Sequence, residues 1–329
     1  MADNKQTQTD DTSPGIIDSR HAMVAWNDQC TEARDELFEQ IGLRRGLVIH
    51  EYGGVGRSSQ NPVIWETKHL SSRKPTSTIE SVTHYVSSEI ARDLHTIGVP
   101  LTAIPFTRRW QTHDVEPAYQ KEIDGNHEKA FLYLIGRYTI NKITIQIEPI
   151  RMKPTPHFMD IITQAVIPES IKGYDNLIKV LNGFGYYVAT QVTLGGVLLK
   201  HEETPIQQVE DARSERDAFA TGFNDALHNI RSSEVTFRSF QQIGSRRNTV
   251  YHYNAWVSNL ELPANWDIIY YDKLLPTLAL IGMHNMAVGN ACYNLLRRFS
   301  SYDEVKNLQA VIDMSRYANV AKTYFMNPI

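Results

Sequence analysis

The sequence has few of the features that mark a disulfide-rich, membrane-spanning or nucleic-acid-binding protein. Its 329 residues hold 2 cysteines, Cys30 and Cys292, which leave one bridge or two free thiols open. No run approaches the roughly 18 consecutive apolar residues of a transmembrane helix. The formal net charge of -4 provides no basic excess for a phosphate backbone or anionic lipid. We therefore expect no nucleic-acid partner.

The N-terminal segment lacks the apolar core of a secretory signal. Residues 1 to 14 are polar and rich in Asp, Thr, Gln and Asn. We predict a disordered tail over residues 1–15. We also expect a soluble protein without a signal peptide, released by a non-classical route before it associates with a membrane.

Catalytic and metal-binding motifs are missing as well. No Gly-x-Ser-x-Gly elbow is present, and neither cysteine stands in a nucleophile signature. The pairs His50-Glu51 and His201-Glu202 have no second histidine at the helical i+4 spacing of a zinc site. We predict no enzyme activity, no cofactor and no metal site.

The most informative stretch that is present runs from Leu181 to Val197. A Phe184-Gly185 pair is followed by aromatic and β-branched residues and then by Gly195-Gly196. Two adjacent glycines inside a strand indicate a bulge or a sharp bend, because glycine weakens a strand and permits close backbone approach. A two-residue Gly-Gly hairpin fits the same letters.

This stretch resembles the signature of the membrane attack complex/perforin family. The family places a Tyr before a Phe-Gly-Thr-His-aromatic core and a Gly-Gly pair six residues after that core. Tyr174, Phe184-Gly185 and Gly195-Gly196 match the spacing, whereas Tyr186, Tyr187 and Val188 replace the Thr-His-aromatic core. The resemblance implies that Phe184, Gly185, Tyr186, Tyr187, Gly195 and Gly196 form the signature and the hinge of the sheet.

A second motif lies downstream of the signature. Trp256 and Ser258 resemble the Trp-x-Ser strand end that closes the family domain, and Pro263 resembles the turn after it. Leu274-Leu275-Pro276 resembles a helix start. With these matches the resemblance covers roughly residues 30 to 285, most of the chain.

The resemblance implies an α+β fold. It consists of a bent, twisted four-stranded antiparallel sheet flanked by two helical clusters, as in the cholesterol-dependent cytolysins, with a helical C-terminal tail. The predicted strands are 76–88, 131–147, 186–201 and 246–258. The predicted helical clusters are 89–130 and 202–245. The predicted domain covers 16–285, and an extension over 286–329 packs on it. Apolar parity changes between Ile140 and Ile143, which predicts a bulge or a twist in the second strand.

The function that the resemblance implies is pore formation by helical clusters that convert into membrane-inserting β-hairpins. Each cluster is long enough for strands of about 9 to 11 residues. Pro100, Pro105 and Pro117 weaken this prediction for the first cluster. In the second cluster the candidate membrane-inserting residues are Phe219, Thr221, Phe223, Leu227, Val235 and Phe237. Asp225 would share their lipid-facing side, at a cost.

The expected partners are a target membrane lipid or receptor, and further copies of the chain in a ring or arc. The sequence shows no separate C-terminal lipid- or glycan-binding domain of the kind that many relatives carry, so a separate membrane-targeting protein is also expected. The alternative is a non-lytic structural or interaction module that keeps the fold and has lost insertion.

Overall fold

The computed structural model describes residues 19–49, 54–86, 89–100, 131–209, 211–232, 240–244, 252–306 and 312–327. Within these ranges the chain forms helices, strands and short 3-10 turns. The helices are α1 Ser19–Asn27, α2 Thr31–Gln40, α3 Glu89–Ile97, α4 Pro156–Ala165, α5 Ile171–Phe184, α6 Ala212–Ser232, α7 Tyr253–Asn259, α8 Thr277–His284, α9 Met286–Lys306 and α10 Met314–Met326. The strands are β1 Leu47–Ile49, β2 Val55–Arg57, β3 Val63–Ile64, β4 Ser71–Arg73, β5 Ile79–Val86, β6 Phe131–Gln146, β7 Lys153–Pro154, β8 Tyr187–Pro205, β9 Gln241–Ile243 and β10 Asp267–Pro276.

Four long antiparallel strands form the centre of the fold, in the spatial order β5, β6, β8, β10. Short strands extend this sheet: β4 beside β6, β9 beside β8, and β1 with β2 at the start of β8. The predicted α+β class with a four-stranded antiparallel core is confirmed.

The two central strands are unusually long and buried on both faces. β6 and β8 span 16 and 19 residues, against a usual strand length of about 5 to 6. Almost all of β6 is buried, because helices cover both faces of the sheet. Its register slips between Asn141 and Ile143, which confirms the bulge predicted from the parity change.

The fourth predicted strand was wrong. Residues 253–259 form helix α7, and the fourth strand is β10. Trp256 and Leu260 stand at i and i+4 and are both fully buried, so this segment buries a helical stripe rather than one face of a strand. Residues 245–251 lie outside the described residues. The other three strands are found close to their predicted bounds.

Helices α3 and α6 lie on opposite faces of the central sheet. The ring of Phe223 on α6 covers Gly136, while the next residue along β6, Arg137, bonds to α3. Consecutive strand residues point to opposite faces, which fixes the two helices on either side. One helix of each predicted cluster therefore covers its own face of the sheet.

The C-terminal region is helical, as the sequence predicts. The chain leaves β10 at Pro276 and enters α8 at once, so the predicted Leu-Pro helix start is confirmed. Tyr317 on α10 is fully buried and donates a hydrogen bond of 2.6 Å to the carbonyl of Tyr186. This tail therefore packs on the sheet, while the domain boundary at residue 285 stays a prediction. Cys30 is exposed, Cys292 is buried, and both are free thiols.

Candidate functional site

The two glycines of the signature lie in the interior of β8, not at a hairpin. Gly195 pairs with Asn141 of β6 on one side and with Asp267 of β10 on the other. Both neighbouring strands carry an extra residue at this level: Lys142 in β6 and Ile269 in β10. We call these two residues the double bulge. Because a bulge bends its strand and increases local twist, a bulge on each side of Gly195 bends the sheet here.

Neither glycine could carry a side chain without a clash. A Cβ atom on Gly195 would lie 2.0 Å from the carbonyl oxygen of Ile140, which is backbone of the neighbouring strand. A Cβ on Gly196 would lie 2.5 Å from Cδ1 of Leu260 and 2.8 Å from Cζ2 of Trp256. The first glycine therefore permits the strand geometry at the bend, and the second permits close packing of a helix against the strand.

That helix carries the closing motif. Trp256 lies on α7 and packs on Gly196, so the structure brings these two predicted residues together. Pro263 is buried in the turn that follows, whereas Ser258 is exposed on α7. The motif was predicted to end a strand; instead it presses a helix onto the bend.

The aromatic half of the signature lies elsewhere. Phe184 ends α5 and packs on Phe158, with ring centroids 4.7 Å apart. Gly185 has φ +99°, and a Cβ there would lie 2.5 Å from the Cα of Gly46. Tyr187 begins β8 and is separated from Gly195 by eight strand positions, about 26 Å at 3.3 Å per residue. Residues 184–187 are therefore distant from the bend.

These aromatic residues connect the sheet to the C-terminal helices. The carbonyl of Tyr186 accepts hydrogen bonds from the amide of Thr277 at 2.8 Å and from the hydroxyl of Tyr317 at 2.6 Å. The Tyr186 hydroxyl donates to Oδ1 of Asn182 at 2.7 Å. Tyr187 meets the ring of Tyr317 edge-on, with centroids 5.6 Å apart. Their geometry indicates packing at this end of the sheet.

The candidate membrane-inserting residues of α6 divide into buried and exposed positions. Phe219, Phe223 and Leu227 face the sheet, and Phe223 lies so close to Gly136 that a Cβ there would be 2.4 Å from its ring. Thr221 is exposed and its hydroxyl donates to the carbonyl of Asp217 at 2.9 Å. The two remaining candidates, Val235 and Phe237, lie outside the described residues.

Arg137 makes a set of buried contacts that the sequence did not predict. Its side chain is 2% exposed, and it donates to the carbonyls of His95 at 2.6 Å, Thr96 at 2.5 Å and Ile269 at 2.6 Å. The first two carbonyls belong to the last turn of α3, where helix carbonyls lack intrahelical partners and the dipole favours a cation. The third belongs to the double bulge. One guanidinium thus connects α3 to the bend, and burial lowers its pKa. The sequence feature that could have indicated this role is the position of an arginine inside the longest β-like run.

The end of α3 also covers the outer edge of β10. The Tyr271 amide donates to the carbonyl of Gly98 at 2.9 Å, a bond outside the β10–β8 ladder. Gly98 has φ +80°, and a Cβ there would lie 2.0 Å from the Ile269 carbonyl oxygen. An uncovered strand edge is a template for pairing with another chain, so this contact protects part of the edge.

Lys142 of the double bulge is a buried cation. It is 4% exposed, and burial lowers its pKa from 10.5 to about 8, while Glu261 acts in the opposite direction. A lysine whose pKa falls on folding is more stable in water than in the bend. The bent sheet therefore contains an ammonium group that opposes the bend.

The geometry is similar to what the perforin family's signature implies. The Gly-Gly pair stands mid-strand in a bent four-stranded antiparallel sheet, with a helical segment on each face. This is the sheet arrangement that the resemblance to the signature implies. No protein-family model matches the sequence, and no curated protein matches it.

Three solved structures are similar to this chain at 11% sequence identity. A putative cell invasion protein with a MAC/perforin domain from Bacteroides thetaiotaomicron has a TM-score of 0.35, with 78% of this chain and 52% of that chain covered. GNIP1Aa from Chromobacterium piscinae gives 0.42, with 82% and 55% covered. Astrotactin-2, named as a vertebrate-specific and perforin-like membrane protein, gives 0.32, with 79% and 41% covered. The chain spans about half the length of the structures it matches.

The first prediction concerns the need for glycine at the bend. Gly195→Ala should lower the free energy of unfolding by about 1–3 kcal/mol, because the new methyl group displaces the Ile140 carbonyl. Gly183→Ala is the matched control: a Cβ there meets nothing within 4 Å, and alanine favours the α5 helix. Urea denaturation measures both. A Gly195→Ala protein as stable as wild type would contradict the required close contact.

The second prediction concerns the buried lysine. Lys142→Met keeps the apolar stem, removes the ammonium group and should raise the free energy of unfolding at pH 7 by about 1–3 kcal/mol. Wild-type stability should also rise between pH 8 and 10.5, where the unfolded chain still binds the proton that the native lysine has lost. That rise should be absent from the variant.

The control for Lys142→Met is Lys273→Met, because Lys273 is an exposed lysine of β10. It should leave both the stability at pH 7 and the alkaline rise close to wild type. Equal effects of the two substitutions in thermal unfolding at pH 7 and pH 10 would show that burial of Lys142 has no energetic consequence.

Proposed function

We propose that this chain is a perforin-like pore-forming protein without catalytic activity. Copies bind a membrane, pair through their bent sheets into a ring or arc, and convert residues 202–245 and 89–130 into membrane-inserting β-hairpins. Strands inserted in lipid must pair with one another, because their backbone groups find no water to bond there. The bend at Gly195 and Gly196 opens during this conversion.

One observation carries the proposal: both helical segments join the sheet at the same end. The β6–β8 ladder runs without a turn to the pair Phe131 and Pro205. β5 reaches the same end, with Val86 opposite Tyr133. The segment that joins β5 to β6 and the segment that follows β8 are therefore attached to three neighbouring strands at the same end of the sheet. If both became strands, they would extend an existing antiparallel ladder in its own register.

The double bulge and the glycines support a sheet that changes shape. Bulges are local departures from regular pairing, and here they lie on the two sides of Leu194, the residue next to the two glycines. Opening moves α7 off Gly196 and carries Lys142 toward water, which favours the open form. Replacing both glycines with valine tests opening poorly, since the clash at Ile140 disturbs the closed fold first.

Conversion requires two sets of contacts to break. On one face the Phe219, Phe223 and Leu227 side chains of α6 leave the sheet. On the other, Arg137 releases the carbonyls of α3 and of Ile269. The membrane lipid or receptor, and a separate membrane-targeting protein, belong to this proposal as partners that hold the chain at the surface while these contacts break.

A non-lytic interaction module is the second candidate, and one observation favours it. As a strand, α6 would place Asp225 on the same face as Phe219, Phe223 and Leu227. A charge on that face costs up to a few kcal/mol at the bilayer midplane. In the helix Asp225 is exposed to water, so its charge carries no desolvation penalty. The present sequence thus suits the docked helix better than the hairpin at this position.

Two aspartate substitutions distinguish the pore-forming protein from the non-lytic module. Thr221 and Asn224 are both exposed on α6, so an aspartate at either has little effect on the soluble fold. In a hairpin Thr221 would face lipid and Asn224 the aqueous lumen. We expect Thr221→Asp to reduce dye release from liposomes severalfold or more, and Asn224→Asp to leave it near wild type.

The assay uses liposomes of several compositions, including whole-cell lipid extracts, and equal amounts of bound protein. Release that falls equally in both variants would contradict a hairpin with alternating faces. Binding without release by the wild-type chain, on every composition, would favour the non-lytic module.

A further inference from the structure

Three histidines lie on the α3 face of the sheet. His84 of β5 and His95 of α3 stack with ring centroids 3.8 Å apart and an angle of 21° between planes. His84 pairs with Ile135 of β6, which pairs with His201 of β8, so His84 and His201 share one row across the sheet. Two of the three strands in this row thus present a histidine beneath α3, and α3 covers the row with a third.

The buried Arg137 guanidinium lies on the same face as this row and lowers the pKa of both His84 and His201. It stands two residues from Ile135 and so points to the same face, where it bonds α3. The other charged groups that face the row already have partners. They are Arg92 with Asp93 at 2.8 Å and with Glu203 at 3.3 Å, Glu89 of α3 with the Tyr133 hydroxyl at 3.3 Å, and Glu80 with the Tyr270 hydroxyl at 3.2 Å.

We propose that acid releases helix α3 from the sheet. In the docked position two histidines stack beside a buried arginine, so a positive charge on either ring is unfavourable there. This deepens the proposed function, since α3 begins the first hairpin segment and covers the β10 edge. Release would free that segment and expose the edge together. The chain would then respond to an acidified compartment.

The pKa values of the histidines shift in the direction that release by acid requires. Burial first, then His95 and Arg137, lowers the pKa of His84 to about 2. Burial, Arg92 and Arg137 lower the pKa of His201, while Glu203 and Asp93 oppose this. In the docked state His84 stays neutral as pH falls, whereas in the released state a histidine takes up a proton below about pH 6.5. The stability of docking is therefore fully present above pH 6.5 and falls below it, by about tenfold per pH unit through His84. The lowered pKa of His201 acts in the same direction.

Hydrogen–deuterium exchange of the full chain, without any membrane, tests the proposal. After correction for the intrinsic pH dependence of exchange, the protection of amides in Glu89–Ile97 should fall at least about tenfold between pH 7.5 and pH 5. Amides of β6 should keep their protection, which distinguishes release of α3 from global unfolding. The variant His84→Phe/His95→Phe keeps two stacked rings that cannot be protonated. The protection of its α3 amides should fall by about threefold or less over the same pH range.

The control His21→Gln removes an exposed histidine of α1 and should behave as wild type. Thermal unfolding at pH 7.5 establishes that the double variant folds; His84→Gln replaces it if it does not. Unchanged α3 protection in wild type at pH 5, or an equal loss in the histidine variants, would overturn the proposal. Because no lipid is present, failure of α3 release and failure of pore formation are separate results.

Discussion

The approach of Gly195 to the Ile140 carbonyl is the constraint on which the rest of the structure depends. No side chain fits between these strands, so β8 can pass the double bulge only with glycine at this position. The bend that results lets α7 pack its Trp256 ring on Gly196 and places the Ile269 carbonyl where Arg137 bonds it. One backbone contact thus fixes how both faces of the sheet are covered.

The two faces are held by different chemistry. On the α6 face the buried side chains of the helix are all apolar, so protonation does not change their packing on the sheet. On the α3 face Ile90 and Leu94 are buried too, but a buried guanidinium, stacked histidines and helix carbonyls lie beside this apolar packing. Polar contacts in a low-dielectric site are sensitive to any added charge. The two hairpin segments of the proposed pore would therefore be released by different triggers, with α3 responding to protons and α6 to the membrane.

Much of the sheet could be predicted from the sequence, because its signals are local. The parity change near Ile143 predicted a bulge, and the Gly-Gly pair predicted a bend within a strand. Trp256 misled the prediction, since a short amphipathic helix and a strand end share a buried aromatic residue, and only contact with Gly196 decides between them. The contacts of Arg137 could not be predicted, because its partners lie 41 to 132 positions away along the chain and are backbone carbonyls, which leave no mark on side-chain pattern.

The most direct test of the central claim is an environment-sensitive fluorophore scan along α6. Single cysteines at residues 217–227, in a Cys30→Ser/Cys292→Ala background, report the polarity at each position. In solution the dye should be shielded at positions 219, 223 and 227 only, as the buried face of the helix requires. On liposomes the account predicts alternation, with every odd position from 219 to 227 in an apolar environment. A helical period that persists on the membrane would contradict conversion of α6 into a hairpin.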